Sequence, residues 1–252
     1  AAGHEEKALQ QWVDVIDFHV AIMKELGLQP GSDIRLQGEI PFDPALPYDQ
    51  NYDQIVSLGE IMSTQIVAVY LLKQGLSVEW WNMPKLLRTD STWREAVVDD
   101  AVSSAAIRSG WERANRPQIV VTQGFIGGTA DGYRTTLGRE GSDYTAALLG
   151  NYLNAESVTI WKDVPGILNA DPRIEPNTVL IPSLRYQDDP SAREQAYPVV
   201  GKALRRPDGR RLAYCRGWSV THQCAGLYLA QEPNSNYHAR QGLCLCFGVQ
   251  SE

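Results

Sequence analysis

The sequence predicts an α/β domain with a mainly parallel central sheet and helices on both faces. Three observations predict it. Short β-branched runs recur, QIVVTQ at 118–123 and SVTIW at 157–161, and such runs suit buried parallel strands. Longer segments carry apolar residues at helical spacing, as at 5–26 and 57–73. Between 118 and 161 the order is strand, glycine-rich loop, helix, strand, the order in which parallel strands are joined.

Each element has its own warrant. In residues 5–26, Leu9, Trp12, Val13, Ile16, Val20 and Met23 follow the i, i+3, i+4, i+7 spacing of one buried helical stripe. Gly27 and Pro30-Gly31 end that helix. His19 lies beside the stripe, the place of a structural histidine rather than a catalytic one. Residues 31–56, with Pro41, Pro44 and Pro47, read as strand fragments and loop. Ser57 then opens a second helix to about Lys73, stopped by Gly75. Ile61, Met62, Ile66, Val67, Val69, Leu71 and Leu72 make most of its faces apolar, which predicts burial. A strand is expected at 76–81 and a helix within 94–113. The run at 118–123 leads into GFIGGTADG at 124–132 and TTLGREGSDYTAALLG at 135–150. Ser142 or Asp143 is a good N-cap for a helix over 144–152. After the strand at 157–161, Asp163-Val-Pro165-Gly166 and Asp171-Pro172-Arg173 read as turns.

A chain of 252 residues suits one large α/β domain or two small ones. With 43% hydrophobic and 21% charged residues the composition is that of an ordinary soluble globular protein. The net charge of −7 argues against a nucleic-acid partner. No uninterrupted apolar run has membrane-spanning length, so no membrane role is expected, and no secretory leader opens the chain.

The averages hide a break near residue 190. Residues 1–190 have a net charge of −11 (15 Lys and Arg against 26 Asp and Glu); residues 191–252 have +4 (8 against 4). The first part holds 14 isoleucines and the second none, while Cys215, Cys224, Cys244 and Cys246 all fall in the second. The expected division is therefore a domain at 1–190 and an anomalous basic tail at 191–252, out of frame or disordered. The spacings Cys244-x-Cys246 and His222-x-Cys224 do not fit the usual zinc patterns, and no metal-ligating set is assigned; reduced thiols are expected.

The segment at 135–146 carries the chemistry. Gly138 and Gly141 let the backbone approach a ligand closely. A helix opening near Ser142 aims free N–H groups and a positive dipole end into that loop. Arg139 adds a planar cation able to grip a carboxylate by two parallel bonds. Together they suit an anionic ligand; an ordinary strand–turn–helix corner with a capped N-terminus is the structural alternative.

Four ordered blocks carry a resemblance. SLGE at 57–60, GFIG at 124–127, TTLGREGSDYTAALL at 135–149 and KDVPGILNADPR at 162–173 resemble the motif set of the aspartate kinases, over roughly residues 5–187. Kinases of glutamate, acetylglutamate, carbamate and uridylate share that fold and match these blocks less well. The resemblance implies the three-layer α/β/α amino-acid kinase fold. It also implies ATP-dependent phosphorylation of the side-chain carboxylate of L-aspartate, with ATP and Mg²⁺ as cofactors, a cytoplasmic location and a homo-oligomer when full length. By the same resemblance Arg139 holds the α-carboxylate and Glu60 the α-amino group. Ser142 and Asp143 line that pocket, with Asp143 near the reacting centre, and Phe125 supplies backbone contact. Lys162, Asp163, Leu168 and Arg173 fall on the ATP side. Lys162 stands where many members have a small polar residue, and Leu168 where many have a tyrosine.

The residues alone also admit structural roles. Ser57-x-x-Glu60 is the pattern of a capping box. Asp143 could only cap its helix, Asp163 and Asp171 could only serve turns, Arg173 could be a surface residue and Phe125 core.

The family's opening strand ends in a Lys-Phe-Gly-Gly-Thr-Ser motif, and nothing like it occurs here. The expectation is a fold incomplete at its N-terminus, with that strand preceding Ala1. Loss of such a phosphate-facing lysine costs on the order of 3 kcal/mol of transition-state stabilisation, so the chain by itself is expected to be inactive. The family's later Gly-Ala-Lys-x-x-His-Pro segment has only a faint echo in Gly201-Lys202 and Pro207. Rival readings are a kinase of the same superfamily acting on another amino acid or acid, and a non-catalytic chain that binds ligand or associates with intact subunits.

Overall fold

The computed structural model describes residues 2–114, 117, 119–155, 157–162, 168–171, 173–180, 213–218 and 243–247. The chain divides into two units, one of residues 1–142 with 241–252, the other of residues 143–240.

In the first unit, helix α1 (Ala2–Glu25) packs on helix α2 (Tyr48–Lys73). Two clusters fill the seam: Met23, Leu28, Ile34 and Ile66 in one, Trp12, Leu58 and Met62 in the other. Full burial of a side chain such as Met62 stabilises by about 1.5–3 kcal/mol. The buried stripe of α1 differs from the sequence expectation. Trp12, His19 and Met23 are buried, whereas Leu9 and Val13 are exposed. Trp12 decides this, because its indole N–H donates to the Gly38 carbonyl at 3.0 Å and turns the helix on that side. His19 is structural, as expected: its Nδ1–H donates to the Val15 carbonyl at 2.7 Å.

Helix α2 starts nine residues earlier than the sequence suggested, after Pro47. The segment at 48–56 is therefore helix rather than strand fragment or loop, and only an isolated bridge joins Pro30 to Ile34. By length and composition α2 could cross a membrane. Here it is a core helix: Asp53, Gln54, Ser57, Glu60 and Thr64 are buried with Leu58, Met62 and Ile66, and it packs on the strands below.

Strands β1 (Val78–Trp81) and β2 (Ile119–Gln123) pair in parallel, Val78 opposite Ile119 and Trp81 opposite Thr122. Between them lie the short helix α3 (Met83–Leu86) and helix α4 (Asp100–Arg113). Asp99 caps α4, accepting from the Val102 N–H at 3.0 Å. Strands β3 (Ile126–Gly128) and β4 (Arg134–Thr136) form an antiparallel pair. Gly128 is required where β3 passes α3, because a Cβ there would run into the Pro84 carbonyl. Helix α5 (Gly141–Tyr152) starts in this unit and continues into the other. It begins before the expected cap, so Ser142 and Asp143 lie within its first turn.

In the second unit, strand β5 (Ser157–Lys162) pairs in parallel with strand β6 (Ala213–Trp218). A last strand, β7 (Leu243–Phe247), belongs to the first unit and pairs in parallel with β2. The parallel pairing expected from the β-branched runs is present in both units. Strands β6 and β7 fall within the stretch read from sequence as a tail.

Candidate substrate-binding site

The first unit builds its candidate site where β2 ends. Gln123, the last residue of β2, is completely buried. Its amide donates to the Thr64 hydroxyl at 2.7 Å and to the Trp81 carbonyl at 3.2 Å, and its oxygen accepts from the Met83 N–H at 2.8 Å. The Thr64 hydroxyl donates to the Glu60 carbonyl at 2.8 Å. One amide thus joins the ends of β1 and β2, the start of α3 and the turn of α2 that carries Glu60.

Glu60 is 3% exposed and lies in the middle of α2. This excludes the capping-box alternative: Ser57 is no N-cap, and its hydroxyl donates to the Gln54 carbonyl at 3.2 Å. A carboxylate in the buried stripe of a core helix is costly to keep, and its place on the same turn as Thr64 puts it beside the β2 terminus.

After Gln123 the chain turns sharply. Phe125 has φ 70, the left-handed region that a bulky side chain rarely adopts. Its carbonyl accepts from the Leu137 N–H at 2.8 Å, which ties the turn to the loop after β4. Two glycines let this turn and the start of α5 meet. A Cβ at Gly124 would lie 2.9 Å from the Ser142 Cα, and one at Gly141 would lie 2.8 Å from the Phe125 ring. Phe125, Ser142 and the Arg139 loop are therefore brought together. Arg139 itself is exposed, with no hydrogen bond or ion pair among the described residues.

Helix α2 also grips β4 along its outer edge. The Gln54 side chain accepts from the Arg134 N–H at 3.0 Å and donates to the Arg134 carbonyl at 2.7 Å. Asp53 accepts from the Thr136 N–H at 3.0 Å and from its hydroxyl at 2.8 Å. These bonds satisfy backbone groups that an edge strand would otherwise leave open. Burial pushes the Asp53 carboxyl above its ordinary value, against the opposing effect of its N–H and O–H donors. The Arg134 guanidinium donates to the Ser57 hydroxyl at 2.6 Å and to the Gln54 carbonyl at 2.7 Å, and burial lowers its pKa. Sequence reading missed Asp53, Gln54, Thr64, Gln123 and Arg134.

In the second unit, Asp143 is 4% exposed on the first turn of α5. Lys162 ends β5, opposite Trp218. Leu168 is half-buried and bridges to Leu180. Arg173 is exposed and paired with Asp171, Nη2 to Oδ2 2.7 Å. Asp163 and its turn lie outside the described residues. The second turn is formed, with the Arg173 N–H donating to Asp171 Oδ1 at 2.9 Å.

The pattern of the amino acid kinase family matches residues 8–206. The chain belongs to that family. Among its relatives, lysine-sensitive aspartokinase 3 of Escherichia coli is 44% identical over 123 residues, 48% of this chain and 27% of that protein. The aspartokinase of Chlamydia trachomatis is 30% identical over 190 residues, 75% of this chain and 44% of that protein. The crystal structure of E. coli aspartokinase III with aspartate and ADP superposes with a TM-score of 0.66 at 31% identity, over 75% of this chain and 43% of that one. The chain thus spans less than half the length of these relatives. The expected α/β amino-acid kinase fold agrees with these neighbours.

Proposed function

We propose that this member of the amino acid kinase family is part of an aspartate kinase, which moves the γ-phosphoryl group of ATP to the side-chain carboxylate of L-aspartate. The products are ADP and 4-phospho-L-aspartate. The observation that carries this reading is the junction at Gly124 and Gly141, where a left-handed Phe125 meets the first turn of α5. That junction sets a helix N-terminus and the Arg139 loop beside one another, a pairing of dipole and cation suited to a carboxylate. The likeness to aspartokinases, one of them solved with aspartate and ADP, names the carboxylate.

In this reading the exposed Arg139 takes the α-carboxylate by two parallel bonds. Glu60 takes the α-ammonium group, and its burial favours a cationic partner. Ser142 and the Phe125 backbone orient the side-chain carboxylate, and Asp143 stands near the reacting centre. The carboxylate is ionised at neutral pH and is itself the nucleophile, so the protein's task is alignment and charge neutralisation. Lys162, Asp163, Leu168 and Arg173 form the ATP side. Magnesium would travel with the ATP phosphates and neutralise their charge; among the described residues no three His, Cys, Asp or Glu side chains converge to hold it. A place in lysine, threonine and methionine synthesis, a cytoplasmic location, a homo-oligomeric parent protein, no nucleic-acid or membrane partner, and a domain division near residue 190 belong to the same reading.

Calorimetry of the chain with L-aspartate tests it, with ADP release as the second readout. Saturable heat with L-aspartate and none with L-glutamate is the expected result. A folded chain that takes neither would overturn the reading. The 252 residues hold no Lys-Phe-Gly-Gly-Thr-Ser run, and this favours a second reading, a chain that binds aspartate without turnover. Aspartate heat with no ADP release selects it.

A further inference from the structure

We propose that Asp53 is the positioning residue for the substrate arginine: from inside α2 it fixes both backbone segments on which the Arg139 loop rests. The inference rests on the assignment of Arg139 to the substrate carboxylate.

Asp53 has no exposed surface. Its Oδ2 accepts from the Arg94 N–H and the Thr136 N–H, each at 3.0 Å, and its Oδ1 accepts from the Thr136 hydroxyl at 2.8 Å. Thr136 ends β4, three residues before Arg139. Arg94 sits in the loop between α3 and α4 with φ 69. That loop is held from further sides. The Arg94 guanidinium reaches Asp49 at 3.3 Å and lies 4.7 Å over the Tyr52 ring, and the Ala96 N–H donates to the Thr136 carbonyl at 2.9 Å.

The two segments meet at Gly138, the residue before Arg139. A Cβ there would lie 3.1 Å from the Glu95 Cγ and 3.2 Å from the Arg94 carbonyl. Gly138 also has φ 73, which only glycine adopts without cost. A closed ring results: Asp53 holds Thr136 and Arg94, Thr136 leads to Gly138, and Arg94 with Glu95 covers Gly138. Arg139 projects from this ring into solvent.

A carboxylate suits the task because two oxygens accept from three donors. An amide oxygen in the place of Oδ2 could take both N–H groups, but without the charge that strengthens these bonds, and its N–H₂ would oblige the Thr136 hydroxyl to turn and accept. A buried carboxylate is costly without a cation in direct contact; the Arg94 guanidinium, which bonds to Asp49, favours the Asp53 charge only from a distance. Simple cohesion of helix and strand does not need such a group, since Gln54 already supplies neutral bonds to β4.

The test uses the full chain, amide exchange by mass spectrometry and calorimetry with L-aspartate. Asp53→Asn is expected to speed exchange at 90–97 and 134–140 by about tenfold or more, with β1, β2 and α4 unchanged, and to weaken aspartate binding by about tenfold. Thr136→Val, which removes one hydroxyl donor, is expected to do the same in smaller measure. Thr136→Ser, which keeps it, is expected to match the wild type. If Asp53→Asn loses its cooperative fold, the comparison of Thr136→Val with Thr136→Ser decides. Unchanged exchange at 134–140, or a freed loop with unchanged affinity, would overturn the proposal. If the wild-type chain takes no aspartate, the functional reading fails, and the exchange data still decide whether Asp53 holds the loop.

Discussion

Gln123 and Thr64 are joined by a 2.7 Å hydrogen bond between fully buried side chains 59 residues apart. It ties the end of β2 to the Glu60 turn of α2, where the Trp80 indole N–H of β1 also donates to the Thr64 hydroxyl at 3.1 Å. Gln123→Met keeps the volume and removes the amide. The Met83 N–H and the Trp81 carbonyl then lose a buried partner, so a loss of about 1–3 kcal/mol is expected. A urea midpoint within error of the wild type would refute this.

Gly124 should tolerate no side chain. In Gly124→Ala the new methyl would meet the Ser142 Cα, which is backbone and can yield only if α5 moves. The expected outcome is a fall in aspartate affinity larger than the fall in stability alone accounts for. Calorimetry and thermal melting on the same sample separate the two.

Arg139 is exposed, so its replacement should leave the melting temperature unchanged. Arg139→Met is expected to weaken aspartate binding by about tenfold to a hundredfold, the range for a lost charge-assisted hydrogen bond. Arg139→Lys should recover only part of this, because an ammonium has no planar fork. Full affinity in Arg139→Met would remove this residue from the site.

The pair Asp171–Arg173 gives a pH-dependent signal. The hydrogen bonds from Arg173 hold the Asp171 carboxyl down to about 2, from 3.8. Because the folded value is lowered, the pair's contribution to stability is present above 3.8 and lost as pH falls through about 2. Both groups face solvent, so the effect on stability is small. Carboxyl titration by NMR should show Asp171 returning toward 3.8 in Arg173→Gln. If Arg173 serves ATP phosphates, saturating ADP should raise the Asp171 value in the wild type; no movement would exclude that role.

The parallel strands were legible because burial on both faces selects β-branched runs, and QIVVTQ needs no distant partner to be recognised. Helix α4 was legible within its expected span, and its start is marked by Asp99. The first two turns of α2 were not legible. Residues 48–56 are rich in Asp, Asn and Gln, which sequence reading assigns to surface and loop. Gln50, Asn51, Asp53 and Gln54 are buried all the same, and Asp53 and Gln54 are inside because they bond to β4, whose residues come 80 or more positions later. No local pattern encodes such a pairing.

The sequence by itself determined the parallel arrangement, because apolar period is a local property of the chain; the family and the candidates Glu60, Phe125, Arg139 and Ser142 came from it through the resemblance of four ordered motif blocks to the aspartate kinases. The tertiary structure alone decided which polar residues support them. Asp53, Thr64 and Gln123 look like ordinary helix and strand residues until folding removes water from around them. Each must then find a donor or acceptor far away in the chain, and those partners fix the backbone that carries the site.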